Sequence, residues 1–146
     1  MEERILAYRR RLEAFPAHRE AYEALAAAYA EAGHWDELAH LLEERLSVLR
    51  DTDEAVDLEV QLAELLATRL AAPERAKALL KRVIRRQPGA MQAVEALRQI
   101  LEAEEAWAEA ARLARTVVEG GRAEDLGRWW RRIAEYEARQ GRTDEA

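Results

Sequence analysis

The chain has 146 residues, 49% of them hydrophobic, enough for a packed core and the right size for one domain or one continuous array. It has no cysteine, which excludes disulfides, thiolate metal sites and cysteine nucleophiles, and its net charge of −6 opposes nonspecific binding to a phosphate backbone. Six glycines and three prolines interrupt a composition rich in alanine, leucine, glutamate and arginine, so an all-α fold is expected.

The chain opens Met1-Glu2-Glu3-Arg4, without the apolar core of a signal peptide, and no apolar run approaches the ~20 residues that cross a bilayer. A soluble, cytoplasmic protein is expected. Lys77 and Lys81 are the only lysines among 23 basic residues, a bias that points to a GC-rich bacterial gene.

Apolar residues recur at helical spacing and are punctuated about every fifteen residues. A first helix from Glu2 to Phe15 ends at Pro16. Gly33-His34 separates the next two, and Asp51-Thr52-Asp53 can cap a fourth. Breaks at Ala72-Pro73, Pro88-Gly89, Glu105 and Gly120-Gly121 then delimit the rest, giving eight helices. Turns this short force consecutive helices to lie antiparallel.

The pattern also repeats. Leu25, Leu62, Leu97 and Ile133 fall at equivalent places, with spacings of 37, 35 and 36 residues. A single helical hairpin cannot bury its apolar face alone and must stack on a similar neighbour.

These residues resemble the tetratricopeptide repeat, whose first helix carries aromatic-x-x-Leu-Gly/Ala-x-x-Tyr and whose second carries Ala-x-x-x-Phe and a later proline. Tyr22-x-x-Leu25-Ala26-x-x-Tyr29, Gly33 and Asp36-Glu37 match closely. The next unit keeps Leu62-Ala63-x-x-Leu66, Ala76-x-x-x-Leu80 and Pro88, with Glu59 in the aromatic's place. The third keeps Leu97, Leu101, Trp107 and Ala110, but Arg98 replaces the small residue and Ala114 the aromatic. The last offers Trp130-x-x-Ile133-Ala134, Gly141 and Asp144-Glu145-Ala146, with Tyr136 one place early.

The resemblance covers nearly the whole chain and implies one right-handed α-solenoid of antiparallel helix pairs. Residues 1–16 form a half repeat, 17–50, 51–88 and 89–121 full repeats, and 122–146 an incomplete one. By the same analogy Trp35, Trp107 and Trp130 are expected in packed positions.

Little in the sequence suggests catalysis or a cofactor. Ser47 is the only serine and lacks a G-x-S-x-G context, and there is no asparagine. His18, His34 and His40 make no i, i+4 ligand pair, and Gly120-Gly121 lacks the Lys-Ser/Thr of a P-loop. No enzyme, metal site or cofactor is expected, and the acidic pairs read as solvated helix surface.

In the tetratricopeptide family the first helix of each pair lines a concave groove that accepts a peptide or helix. The resemblance places Glu20, Glu23, Ala24, Ala27 and Glu31 there, then Asp57, Gln61 and Glu64, then Gln92, Glu95, Gln99 and Glu102. The last unit reverses sign with Arg128, Arg131, Arg132 and Arg139 beside Trp129. Such a groove would steer a basic or bipolar segment of a partner protein. The alternative is that these faces are charged for solubility. Glu23, Ala27, Gln61, Gln92 and Ala96 stand where the family's carboxylate clamp would need lysine, asparagine and arginine, which argues against an acidic C-terminal peptide as ligand there.

Two other readings stay open. Stacking of copies through the ends would use Ile5, Tyr8 and Leu12 of the first helix with Phe15 beside them, against Trp130 and Ile133 of a neighbour; the same ends suit a piece of a longer repeat protein. Nucleic-acid binding would rest on Arg128-Trp129-Trp130-Arg131-Arg132 and Lys81-Arg82-Val83-Ile84-Arg85-Arg86, runs that more simply form wet helix faces. The expected partners are therefore another protein or a second copy, with no nucleic acid and no membrane.

Overall fold

A computed structural model describes residues 2–49, 52–121 and 124–145, the side chains of 143–145 excepted. The Asp51 part of the fourth helix's cap and the Asp144-Glu145-Ala146 match lie outside the described residues and side chains. The described chain is all-helical, with eight helices and no strand. They are α1 (Glu2–Ala14), α2 (Arg19–Ala32), α3 (Trp35–Val48), α4 (Asp53–Thr68), α5 (Pro73–Arg86), α6 (Met91–Ala103), α7 (Trp107–Gly120) and α8 (Leu126–Glu145). Among the described residues no helix is long and apolar enough to cross a membrane.

Local chemistry sets the boundaries. His18 Nδ1 accepts from the Ala21 amide at 3.1 Å and caps α2. Thr52 Oγ1 does the same for α4 through Ala55, also at 3.1 Å. Asp125 accepts from the Arg128 amide at 3.0 Å at the start of α8. Each cap satisfies an amide that the first helical turn leaves without a backbone partner.

The turns that close α2, α4 and α6 share one backbone device. Gly33, Ala71 and Glu105 are all left-handed, with φ of 71°, 46° and 56°, and each lies two residues before the next helix begins at Trp35, Pro73 or Trp107. At the first and third turns the hydrogen bonds are the same. Gly33 N donates to Ala30 O and His34 N to Tyr29 O, as Glu105 N does to Glu102 O and Ala106 N to Leu101 O. This pairing is the Schellman closure of a helix. At the second turn Ala72 N reaches back to Leu66 O, one residue further.

The described contacts divide the chain into two compact units, Met1–Ala76 and Lys77–Ala146, the division falling in the first turn of α5. In the first, α1 packs on α2, α2 on α3 and α3 on α4; in the second, α6 packs on α7 and α7 on α8. Every consecutive pair named here is joined by a short turn, so packing follows chain order.

The first unit's core holds Ala21, Tyr22, Leu25, Ala28 and Tyr29 of α2, Leu41 and Leu42 of α3, and Val56, Leu62, Ala63 and Leu66 of α4. Arg45 of α3 is buried with them, its guanidinium 5.1 Å from the Tyr22 ring centre and its Nε without a hydrogen-bond partner. The second unit buries Leu80 and Val83 of α5, Val94, Leu97 and Leu101 of α6, Ala110 and Ala114 of α7, and Trp129, Ile133 and Tyr136 of α8.

The tryptophans differ from expectation at α8. Trp130 is 57% exposed and Trp129 only 1%. Counting from the shared leucine or isoleucine, the position three before it is buried in α2, α4 and α6 as Tyr22, Glu59 and Val94, whereas in α8 it is Trp130. Four after it, Tyr29, Leu66 and Leu101 are buried and Glu137 is exposed. In α2 and α6 these places belong to helices that are followed by a packed neighbour, and α8 is the last described helix. Its buried side is instead Trp129, Ile133 and Tyr136, at i, i+4 and i+7. Trp35 and Trp107 are half-buried, with the guanidiniums of Arg69 and Arg139 each 4.8 Å from the respective ring centre.

Candidate functional site: two faces of acidic helices

The positions expected to line a binding face behave differently in the two units. In the first unit Glu20, Glu23, Ala27 and Glu31 of α2, and Asp57, Gln61 and Glu64 of α4, are all exposed, while Ala24 is half-buried. Arg19 meets one of them, its Nε donating to Glu23 Oε1 at 2.9 Å in an exposed i, i+4 pair. The Arg19 guanidinium titrates above its ordinary range, first through that hydrogen bond and then through the charges of Glu23 and Glu54. Glu54 sits in the first turn of α4. The starts of α2 and α4 are therefore within electrostatic reach of each other, and both are acidic.

Tyr22 lies below this edge. Burial pushes its hydroxyl up to about 12, against the opposing pull of Arg45, with Glu54 and Glu23 adding to the rise. It is core rather than a recognition group. Arg9 Nε donates to Tyr29 Oη at 2.5 Å from α1, closing that side of α2.

In the second unit the matching acids are engaged internally. Glu95 accepts from Arg98 Nε and Nη2 at 2.9 and 2.8 Å and from Arg132 Nη1 of α8 at 2.9 Å, with Arg128 Nη2 further off at 3.9 Å. Glu102 Oε1 accepts from Arg98 Nη1 at 2.7 Å and from Tyr136 Oη at 2.5 Å. Arg132 also lies 4.5 Å from the Trp129 ring centre, and Trp107 and Tyr136 stack with ring centres 6.1 Å apart.

Burial alone would raise the carboxyls of Glu95 and Glu102. Hydrogen bonds from Arg132 and Arg98 outweigh it at Glu95, as do those from Tyr136 and Arg98 at Glu102, so both titrate below the usual carboxylate range. Arg98 is driven the opposite way and stays charged: burial opposes its charge, but bonds to Glu95, Tyr136 and Glu102 prevail. Tyr136 is pushed up to about 12 by burial and then by its bond to Glu102. The sign reversal along α8 thus finds a physical role, since Arg132 answers an acid of α6. Arg128, Arg131 and Arg139 stay exposed, as do Gln92 and Gln99 of α6.

The end-stacking candidates also divide. Ile5 and Ile133 are buried, Tyr8 and Leu12 half-buried, and Trp130 exposed. Phe15, the residue after α1, is exposed as that reading needs, and Leu6 of α1 adds exposed apolar surface that it did not name. Trp130 borders an open cleft of about 430 Å³ with Val118 and Ala134, beside an ion pair of Arg115 with Glu137.

Residue reasoning missed the Arg98 network. Two departures from the repeat pattern, Arg98 in a small residue's place and Tyr136 one place early, were its signal, because both put a hydrogen-bond donor where the pattern has none. Among the described residues no group of three His, Asp or Glu could hold a metal ion. No protein-family model matches the chain, and no curated protein matches it in sequence.

Proposed function

We propose that the chain is a protein-interaction module of tetratricopeptide type, in which α2 and α4 offer an acidic and amide surface to a basic segment of a partner protein. The observation that supports this most is the contrast between acids. Glu20, Glu31 and Glu64 are exposed on α2 and α4, whereas Glu95 and Glu102 of α6 are held by Arg98, Arg132 and Tyr136. Internal structure accounts for the second set and not for the first. Long-range attraction to such a surface speeds encounter with a cationic ligand and weakens as salt rises. A solenoid of stacked helix pairs, in a bacterial cytoplasmic protein, is the architecture and setting that go with this reading.

The test is affinity capture from a native lysate with the parent and with a Glu20→Lys, Glu31→Lys, Glu64→Lys variant, each checked for helicity. The three positions are exposed, so folding should be unaffected. A protein with a basic segment, held by the parent at low salt and lost by the folded variant, is the expected result. Identical capture by both would sink the reading.

The exposure of Trp130 favours one second reading, stacking of copies through α8 and the surface formed by Leu6 of α1 and Phe15 just after it. Sedimentation at rising concentration tests it: a mass that stays monomeric, for parent and Trp130→Ser alike, removes it.

A further inference from the structure

We propose that the cleft among α5, α6 and α7 is a second docking site, opposite in charge to the α2–α4 surface, that takes an acidic amphipathic helix of a partner protein. The cleft is open, with a volume of about 530 Å³, and lies wholly within the second unit. Leu97 and Leu101 form its buried floor, and Ile84 and Leu113 are its half-exposed apolar walls. A ligand leucine entering between Ile84 and Leu113 would cover apolar surface that the fold itself leaves partly wet.

The rim decides the ligand's charge. Lys81 and Arg85 of α5 stand on one side and Arg112 of α7 on the other, with Glu109 the acid among them. Glu109 meets Lys81 at only 3.7 Å, between two exposed side chains. Arg85 and Arg112 are exposed and form no ion pair among the described residues. The C-terminal end of α5 explains Arg85, because a cation there complements the helix dipole. No such reason applies to Arg112, which sits in the interior of α7. Cations on two helices facing across an apolar floor match an amphipathic helix whose leucine stripe is flanked by carboxylates at i, i+3 and i+4 spacing. This site depends on neither helix of the acidic surface, so either can fail without the other.

The probe is a synthetic fluorescein-labelled peptide of about 18 residues, with leucine at i, i+4 and i+7 on one helical face and glutamate on the other. One control scrambles the leucines at constant composition, and a second replaces glutamate by lysine. Fluorescence anisotropy is expected to show saturable binding of the first peptide to the parent. Binding should weaken by about tenfold or more on Arg85→Glu with Arg112→Glu, and on scrambling, while Glu20→Lys with Glu64→Lys leaves it unchanged. Should the double reversal fail to fold, Arg85→Gln with Arg112→Gln tests the same contacts. Amide shift changes centred on Ile84, Arg85, Arg112 and Leu113 would place the peptide in the cleft. The proposal is overturned if the folded parent shows no saturable binding, if the scrambled peptide binds equally, or if the shifts centre elsewhere. It is equally overturned if a DNA duplex binds the same residues more tightly at physiological salt.

Discussion

Glu23 of α2 and Glu95 of α6 occupy the same place in their units, two residues before the shared leucine, and the structure treats them in opposite ways. Glu23 has a 58% exposed side chain and meets one arginine of its own helix. Glu95 is 30% exposed and binds two arginines closely, one of them on another helix. The difference traces to one substitution inside the repeat. Where α2 and α4 carry Ala26 and Ala63 after the leucine, α6 carries Arg98, whose side chain is only 13% exposed. A small residue lets helices approach and leaves nearby acids to solvent. A half-buried guanidinium must find acceptors, so it draws acids of its own helix inward and recruits Tyr136 and Arg132 from α8. An acid's position in a repeat therefore says little about whether it is available to a ligand. The residue three further on decides.

The strongest way to break this comparison is to attack the helix that closes the network. Trp129→Ala should cost about 3–5 kcal/mol, because Trp129 is almost fully buried and carries the Arg132 contact. Trp130→Ala should change stability by no more than about 0.5 kcal/mol, since Trp130 is largely exposed. Urea unfolding of the pair is the measurement. A larger loss at Trp130 than at Trp129 would mean that α8 packs by the register the repeat pattern implies, and equal losses would mean that neither tryptophan sets the packing of α8.

That register was legible only in part. The eight helices and their breaks followed from capping residues, glycine and proline, whose effects are local. The buried positions of α2, α4 and α6 followed from helical periodicity, which put Leu25, Leu62 and Leu97 on the apolar face that each helix buries. At α8 periodicity allowed two faces, one through Trp130 and one through Trp129, and nothing local chooses between them. The choice is made by which helices pack against α8. The availability of acids was illegible for the same reason: Glu95 and Glu102 look like Glu23 until Arg132 and Tyr136, respectively, are brought to them from a segment more than thirty residues away.

A smaller effect sharpens the electrostatic half of the comparison. Arg98→Met should destabilise by about 2–3 kcal/mol, since it leaves two half-buried carboxylates with fewer donors. Acid titration separates this from lost packing. Glu95 and Glu102 have folded-state pKa values below their unfolded ones. Their contribution is therefore present above the unfolded carboxylate range, near pH 4.3 by the usual value of about 4.3 for glutamate, and is lost as pH falls through the folded values. Tyr136 acts in the opposite sense. Its folded pKa is raised to about 12, so its bond is intact below the unfolded value of about 10 and fails as pH climbs towards 12. Parent unfolding free energy should thus fall more steeply than that of Arg98→Met on acidification. Parallel curves would remove Arg98 as the organiser.

The smallest expected effect concerns the backbone that the two units share. Gly33 adopts φ of 71° without a Cβ, while Ala71 and Glu105 hold the equivalent left-handed turns with one, at φ of 46° and 56°. A side chain in that region is disfavoured by about 1 kcal/mol or more, and glycine's greater freedom in the unfolded chain returns part of the difference. Ala71→Gly and Glu105→Gly should therefore each stabilise by about 0.5–1 kcal/mol, and Gly33→Ala should destabilise by about 1 kcal/mol. Glu105 is exposed and its carboxylate forms no ion pair among the described residues, so the substitution reads the backbone alone. Opposite signs at Gly33 and Glu105, whose hydrogen bonds are the same, would establish one turn used twice with different residues. A loss on Glu105→Gly would mean that this turn is held by its side chain, and that the likeness between the two closures is one of outline only.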